Sequence, residues 1–216
     1  NNIPLVSVII PAYNAEKYIN QAIDSILNQT YKNIELIIVE DASTDNTLNL
    51  IKKYTDSRIR LFINNENKGI AFSTNRAIKE SFGEFLAIMD DDDIASPKRL
   101  EISVRFLIEH PQIDLVGGSG IVINEKEETI STCATPRNNP KIIKSILLFR
   151  NWIMNSTVTM RRTVIFDNNI WYRENYCGMQ DFQFYMEASK VAQFSSVPDI
   201  LLYYRNHSEN ETTKQL

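Results

Sequence analysis

A regular alternation of short apolar runs and amphipathic segments occupies residues 5–109 and constrains the fold more than any other feature. The runs are rich in β-branched residues and lack polar alternation, which is typical of strands covered on both faces. They lie at 5–10, 34–39, 59–63 and 85–89. Strand–helix–strand crossovers of this kind build a parallel sheet with helices on both faces. The sequence therefore predicts an α/β fold with a mostly parallel central sheet.

Turn and capping residues set the expected bounds of these elements. We expect Pro11 to end the first strand and Asn14 to cap the first helix. The second helix should run from caps at 43–45 to about residue 54. The third should run from 70 to 82, with Gly83 as its stop.

The second half of the chain is less regular. Gly117, Gly118 and Gly120 predict a strand over 115–124 that bends or lets another group approach its backbone. The remaining expected elements are a helix, a strand, a helix and a strand, over 139–149, 154–160, 180–192 and 200–204. Because no Pro/Gly/Ser-rich linker divides the chain, we predict a single domain over 1–216, with its second half built onto the same sheet.

Four consecutive carboxylates, Asp90–Asp93, directly follow the fourth strand. Ligands bind at the carboxyl ends of strands in open α/β sheets, and adjacent like charges repel unless a cation or hydrogen bonds neutralise them. Divalent cations with oxygen ligands suit such a site. The alternative is a solvated turn near a helix N-terminus, and the cluster alone favours neither. Tyr13, Asn14 and Asp41 also follow strands and should share this edge, where they could hold a nucleobase.

Composition excludes several classes. A net charge of −4 without a basic run argues against a nucleic-acid partner. Cys133 and Cys177 fit no zinc spacing, and with only two histidines any cation must be held mainly by carboxylates. The dinucleotide fingerprint and the phosphate loop with its lysine are both missing. No run approaches the roughly 20 apolar residues of a membrane span, so we expect a soluble segment. The two cysteines are typical of ordinary thiols in a reducing compartment, so we expect a cytoplasmic location, compatible with peripheral contact at the cytoplasmic face of the membrane.

Several motifs occur in a characteristic order: Ser7-Val-Ile-Ile-Pro-Ala-Tyr13-Asn14, Ser25-Ile-Leu-Asn-Gln-Thr-Tyr31, Glu35-Leu-Ile-Ile-Val-Glu40-Asp41-Ala-Ser43-Thr-Asp45, Asn67-Lys68-Gly69, and Gly83-Glu-Phe with Asp90–Asp93. With them the sequence resembles family-2 glycosyltransferases of the GT-A fold. The resemblance runs from about residue 5 to 109 almost without a gap, with weaker matches at Gln180-Asp181 and Tyr204-Arg205. It implies that 5–110 form the nucleotide-binding half and 111–216 the acceptor and catalytic-base half.

The resemblance also implies residue roles. Tyr13 would lie against the base and Asp41 would accept from its edge. Asp92, with Asp90, would hold Mn²⁺ or Mg²⁺ as an Asp-x-Asp motif, and Asp181 would be the catalytic base. The family's Glu before that Asp is Gln180 here, which removes a neighbouring charge. The full set implied for nucleotide binding is Pro11, Ala12, Tyr13, Asn14, Asn67, Asp41, Asp90 and Asp91, with His207 as a diphosphate contact.

The implied reaction is inverting, metal-dependent transfer of a sugar from a nucleotide-diphosphate sugar, with UDP-sugar favoured, to a hydroxyl acceptor. The acceptor would be a saccharide or glycolipid in the assembly of a cell-surface polysaccharide or glycolipid. The Gln-x-x-Arg-Trp signature of processive synthases is absent, which favours transfer of one sugar at a time. Displacement of a nucleoside diphosphate needs a cation for the leaving group and a base for the acceptor, and no nucleophilic residue.

Other interpretations remain open at this point. Asp181 could be a simple helix cap, and His207 could be solvated. Trp152, Trp171 and Tyr172 could form a sugar platform, although core packing explains most such residues, as it does Phe182, Phe184 and Tyr185. A sugar-1-phosphate nucleotidyltransferase would need a Gly-rich loop with Arg and Lys after the first strand, where this chain has Ala12-Tyr-Asn-Ala. A non-catalytic sugar- or cation-binding module would leave the acids without a shared purpose.

Overall fold

The structure is a computed structural model, and it describes residues 3–135, 140–147, 151, 153–176, 178–208 and 210. The strands are β1 Val6–Ala12, β2 Ile34–Glu40, β3 Ile59–Ile63, β4 Phe85–Ile88, β5 Ile94–Ala95, β6 Leu115–Ile123, β7 Thr129–Cys133, β8 Thr159–Arg161 and β9 Phe194–Arg205. The helices are α1 Ile19–Leu27, α2 Thr47–Ile51, α3 Ile70–Lys79, α4 Arg99–Glu109, α5 Pro140–Leu147, α6 Thr163–Phe166 and α7 Gln180–Ala188, with a 3₁₀ turn at Asn155–Thr157.

Within the described residues the nine strands form one sheet in the order β3-β2-β1-β4-β8-β6-β9-β5, and β7 pairs with the outer part of β6. Strands β1 to β4 are mutually parallel where they pair. Strand β8 is antiparallel to both β4 and β6, whereas β6 and β9 are parallel. The predicted α/β class with a mostly parallel sheet is confirmed, and strands from the second half do extend the same sheet.

Burial on both faces explains why the central strands are continuous apolar runs. Every residue of β1, β2 and β4 is buried. In β1, Val8 and Ile10 belong to the core under α1 and α4, whereas Ile9 points to the opposite core, which contains residues of α3, α5 and α7. This alternation follows from the period of two in a strand. Of the apolar positions expected to pack on the sheet, α1 buries Ile19, Ala22, Ile23 and Ile26, while Leu27 is partly buried.

Several predicted boundaries in the nucleotide half are wrong. Strand β1 continues through Pro11 to Ala12. Ile9 O accepts from Met89 N and Ala12 O accepts from Asp41 N, so the nitrogen of Pro11 faces the β4 side. The pairing of β1 with β4 ends at Ile9 and Ile88, so Pro11 lies beyond it and its missing N–H does not interrupt the ladder. Asn14 is not a helix cap but adopts a left-handed φ of 51° in the loop before α1.

Gly83 does not stop a helix, since α3 ends earlier, at Lys79. Its N–H donates to Ser7 Oγ over 2.8 Å, and a Cβ there would lie 2.5 Å from that oxygen. A close backbone approach therefore explains this glycine. Glu35 is part of the same hydrogen-bond network. It accepts hydrogen bonds from Ser7 Oγ over 2.6 Å and from Arg60 Nη1 over 2.8 Å.

Other elements differ in length. Helices α2 and α7 end at Ile51 and Ala188, before the predicted 54 and 192. The strand predicted over 154–160 is shorter than expected. Residues 155–157 form a 3₁₀ turn, and the strand is reduced to β8. Strand β9 begins at Phe194, well before the predicted 200, while β5, β7 and α6 were not predicted. Strand β6 was predicted to bend or to admit another group close to its backbone. It shows register shifts next to Gly118, and a Cβ there would lie 2.4 Å from Leu201. The predicted helix ends at 139 and 149, together with Trp152 and Cys177, lie outside the described residues.

Across the described part of the chain, no helix combines the length and apolarity needed to cross a membrane.

Candidate active site

Three loops meet at one edge of the sheet. Tyr13 follows β1, Asp41 follows β2, and Asp90 follows the end of β4. The three strands are neighbours in the order β2-β1-β4 and run parallel, so their carboxyl ends lie side by side. The structure therefore confirms that these segments share an edge.

The loops after β1 and β2 are joined by hydrogen bonds. Asn14 Oδ1 accepts from Thr44 N over 2.9 Å, and Ala15 N donates to Thr47 Oγ1 over 2.8 Å. Glu16 N donates to Asp45 Oδ2 over 3.0 Å. The short polar side chains that sequence reasoning treated as helix caps thus connect two loops, and Asn14 shapes the site without capping α1.

Asp41 is buried and organises a third loop. Its Oδ1 accepts from Asn64 Nδ2 and, over 3.0 Å, from Lys68 N, while its Oδ2 accepts from Gly69 N over 2.8 Å. Gly69 has a φ of 86°, which favours glycine, and Asn67 Oδ1 also accepts from its N–H. A carboxylate offers about four acceptor positions, so one remains for a ligand donor.

The four consecutive acids point to different partners. Asp90 Oδ2 accepts from Ser156 Oγ over 2.6 Å, and Asp91 Oδ2 accepts from Tyr13 N over 3.0 Å. Asp93 is 1% exposed, and its Oδ1 accepts from the N–H of Arg205 over 2.9 Å. The burial of Asp93 and the hydrogen bonds of Asp90 and Asp91 argue against a simple solvated turn.

Asp92 faces the end of β9. His207 Nε2 lies 2.9 Å from Asp92 Oδ2, and Asn210 Nδ2 donates to the same oxygen over 3.2 Å. The His207 side chain is 8% exposed, which excludes the solvated alternative for this residue. Its predicted contact with a diphosphate stays a prediction, but it lies at the acid cluster.

The electrostatics of the cluster favour a cation. Burial, and then repulsion by Asp92, raise the pKa of Asp90 to about 6. The same two causes raise the pKa of Asp91 and of Asp93 well above the usual range. Asp93 Oδ2 is buried and has no hydrogen-bond partner among the described atoms. A divalent cation would relieve this repulsion, and carboxylate oxygens are its preferred ligands. No three His, Cys, Asp or Glu side chains of the described residues already converge as a metal site.

A buried guanidinium lies beneath the cluster. Arg99 is fully buried at the start of α4, and its Nη2 donates to Ile88 O over 2.5 Å while Nη1 contacts Met89 Sδ at 3.2 Å. Burial lowers its pKa to about 10, opposed by the charges of Asp90 and Asp93. Sequence reasoning missed this residue, although its position four residues before the buried Ser103 places it on the inner face of α4.

Arg205 attaches the last strand to the cluster. It is 1% exposed, and its Nε donates to Asp92 O over 3.0 Å while Nη2 donates to Gln21 Oε1 over 2.6 Å. The guanidinium lies over the ring of Tyr18 at 4.5 Å from its centroid. The weak match at Tyr204-Arg205 therefore belongs to the same site as the acids.

Asp181 lies in the first turn of α7. Its Oδ1 accepts from Phe182 N over 2.7 Å, and its Oδ2 accepts from Asn151 Nδ2 over 2.8 Å. Its charge contributes to raising the pKa of Asp90, after burial and Asp92, which places it near the cluster. Asp181 is partly exposed. Its predicted role as the catalytic base stays a prediction.

The aromatic residues considered for a sugar platform pack against other side chains. Tyr172 is 4% exposed and stacks on Phe184 with centroids 4.3 Å apart, so packing accounts for both. Tyr185 is likewise fully buried. Trp171 packs edge-on against Phe166 at 5.3 Å. These contacts support the core interpretation over a sugar platform for the residues that the structure describes.

Comparison with known proteins gives a consistent family assignment. The model of Glycosyl transferase family 2 matches residues 7–175. A Haemophilus influenzae protein described as an uncharacterized glycosyltransferase is 36% identical, covering 100% of this chain and 72% of its own. The Escherichia coli protein WfgD, named UDP-Glc:alpha-D-GlcNAc-diphosphoundecaprenol beta-1,3-glucosyltransferase, is 36% identical over 80% of this chain and 67% of its own.

Solved structures agree. S. aureus TarS 1-349 in complex with UDP-GlcNAc superposes with a TM-score of 0.81 at 25% identity, over 96% of this chain and 60% of the TarS chain. The mannosyltransferase PcManGT from Pyrobaculum calidifontis, in complex with GDP-Man and Mn²⁺, has a TM-score of 0.73 at 19% identity, a likeness of fold alone. The chain thus spans about three fifths of these solved relatives. With the family model matching most of its length, the chain belongs to glycosyl transferase family 2 and is a glycosyltransferase of the GT-A fold.

Proposed function

We propose that this chain transfers one sugar at a time from a UDP-sugar to a hydroxyl acceptor, by an inverting, metal-dependent displacement. The observation that carries the proposal is the juxtaposition of the mutually repelling acids Asp90–Asp93, of which Asp93 is buried, with the carboxylate of Asp181. The cluster Asp90–Asp93 would bind the cation of the diphosphate, and Asp181 would accept the proton of the attacking hydroxyl.

The donor base would lie against Tyr13. Tyr13 is 44% exposed, and its backbone N–H donates to Asp91 Oδ2. An exposed ring at this edge can stack on a base, and the remaining acceptor position of Asp41 can take a donor from the base edge. Uracil is the base we propose, because WfgD is named for UDP-Glc and TarS was solved with UDP-GlcNAc.

The cation would be Mn²⁺ or Mg²⁺, held by Asp92 together with Asp90. Asp92 carries a partly exposed carboxylate whose present partners are neutral or titratable side chains, so its oxygens could be shared with an ion. When bound, such an ion neutralises the charge that grows on the departing diphosphate. His207, which contacts Asp92, lies where it could donate to a diphosphate oxygen.

Asp181 would remove the proton from the acceptor hydroxyl. The hydrogen bonds from Phe182 N and Asn151 Nδ2 occupy one position on each carboxylate oxygen and fix its orientation. Because the acceptor attacks the anomeric carbon directly as the diphosphate leaves, the configuration inverts and no covalent intermediate is needed. The acceptor we propose is a saccharide or a glycolipid, and a lipid-linked acceptor such as the one in WfgD's name would place the reaction at the cytoplasmic face of a membrane.

The test is Asp181→Asn. A general base acts in the transition state and contributes little to donor binding, so turnover should fall by roughly a hundredfold or more while donor affinity stays near the parent value. Glu101→Gln is the matched control, since Glu101 is an acid in the first turn of α4. Turnover is measured by nucleotide release with a competent acceptor, and affinity by calorimetry. Parental turnover in Asp181→Asn would remove Asp181 from the mechanism.

A further inference from the structure

A line of hydrogen bonds leads from helix α7 into the acid cluster. Tyr185 lies one helical turn after Asp181. Its hydroxyl donates to Asn155 Oδ1 over 2.7 Å, and Asn155 Nδ2 donates to Asp90 Oδ1 over 3.3 Å. The helix that carries the proposed base and the first acid of the cluster are therefore joined through two neutral side chains.

Core packing fixes where the Tyr185 hydroxyl lies. The residue is fully buried, and its ring meets Phe184 and Phe194 edge-on, with centroids 5.5 Å and 6.4 Å apart. A tyrosine held in this way cannot swing its hydroxyl to another partner without disturbing the core. The hydroxyl is consequently a fixed point from which the Asn155 amide is oriented.

The order of donors and acceptors in this line is determined by Asp90. An ionised carboxylate only accepts, so the Asn155 NH₂ group must face it. The amide oxygen then faces Tyr185, which must donate its hydroxyl proton. The opposite orientation would place the amide oxygen against the carboxylate. Removal of the Tyr185 hydroxyl would leave the Asn155 amide free to rotate away.

Two donors hold the two oxygens of Asp90. Ser156 Oγ donates to Oδ2 over 2.6 Å, and Asn155 Nδ2 donates to Oδ1. One donor restrains a single oxygen, whereas two fix the plane of the carboxylate group. Both donors come from the 3₁₀ turn Asn155–Thr157, whose position is fixed in turn by the bond from Gly118 N to Thr157 Oγ1, 3.1 Å long.

We infer that Tyr185 and Asn155 are positioning residues for donor binding, which act through Asp90 by fixing the plane of its carboxylate and tying it to the helix of Asp181. The inference rests on the proposed function, since it assigns Asp90 to the donor site. Neither residue touches the donor in this account.

The experiment compares Tyr185→Phe and Asn155→Ala with the parent by calorimetric titration of UDP in the presence of Mn²⁺, alongside thermal unfolding. Loss of a single oriented hydrogen bond corresponds to a rise in Kd of roughly five- to tenfold for each variant. Tyr31→Phe is the matched control, because its hydroxyl donates over 2.5 Å to Pro4 O, which precedes β1 at the opposite end of the sheet. It should leave the Kd unchanged.

The double variant Tyr185→Phe/Asn155→Ala separates positioning from general loosening. If both residues act through one contact, its Kd should match that of Asn155→Ala within about twofold, whereas independent effects would multiply. A fall in melting temperature with parental Kd in both single variants would show a structural role only and overturn the inference. If the parent binds neither UDP nor GDP, ADP or CDP with Mn²⁺, the proposed function fails and the inference with it.

Discussion

Asp41→Asn should destabilise the fold by about 2 kcal/mol, although the change is isosteric. The Asp41 carboxylate is 2% exposed and accepts hydrogen bonds from Asn64 Nδ2, Lys68 N and Gly69 N. An asparagine keeps a single acceptor oxygen. Oriented toward Asn64 and Lys68, it turns its NH₂ group against the N–H of Gly69, and oriented toward Gly69 it abandons the other two donors.

The magnitude follows from the less costly orientation. One hydrogen bond to a charged acceptor is lost, which is worth about 1.5–3 kcal/mol, while the N–H of Gly69 keeps its bond to Asn67 Oδ1. For a chain of this size each kcal/mol lowers the melting temperature by about 2–4 °C, so a fall of roughly 4–8 °C is expected.

Urea unfolding followed by circular dichroism measures the effect, with the m-value checked for constancy. Asp24→Asn is the control, because Asp24 is exposed and accepts from the surface hydroxyl of Tyr54. It should change the free energy of unfolding by less than about 0.5 kcal/mol. An equally small change in Asp41→Asn would refute the claim that this carboxylate organises the loop before α3.

Three further outcomes are expected. Tyr13→Ala should weaken binding of free uridine as well as UDP, measured by calorimetry, because stacking acts on the base; a loss confined to UDP would contradict that role. Arg99→Lys should lower the free energy of unfolding in urea by about 2–4 kcal/mol, because a lysine cannot reproduce the planar, fully buried donor group; a change below about 1 kcal/mol would contradict it. Burial opposes the charge of Glu35, but hydrogen bonds led by that from Ser7 Oγ lower its pKa, so its stabilising effect is complete above about pH 4.3 and is lost as the pH falls through the lower folded-state pKa. Glu35→Gln should therefore flatten the pH dependence of stability below about pH 5, and an unchanged slope in urea titrations would contradict this.

The nucleotide half could be predicted from sequence because its signals are local. Continuous β-branched runs separated by amphipathic helices specify parallel strands, and parallel strands bring Tyr13, Asp41 and Asp90 to one edge without further information. The positions at which individual strands and helices end were harder to predict. Pro11 predicts a strand end, because the sequence does not show that β4 ends before β1 does. Gly83 predicts a helix stop, because the sequence does not show that Ser7 packs against it.

The contacts that hold the acid cluster could not be predicted, because they depend on long-range packing. Ser156 reaches Asp90 across 66 positions of the chain, and Arg205 reaches Asp93 across 112. Nothing in the local sequence around Ser156 marks it as a partner of the acids. Strand β5 is two residues long, and its pairing with β9 brings the Arg205 segment to the cluster.

The central claim is that the acid cluster binds the donor diphosphate through a divalent cation, and Asp92→Asn tests it most directly. The substitution keeps the shape of the side chain but removes a charged oxygen ligand. Calorimetric titration of UDP, with and without Mn²⁺, should show metal-dependent binding to the parent and a weakening in the variant of at least about tenfold that added Mn²⁺ does not restore. Binding of UDP and Mn²⁺ to Asp92→Asn with parental affinity would contradict the claim.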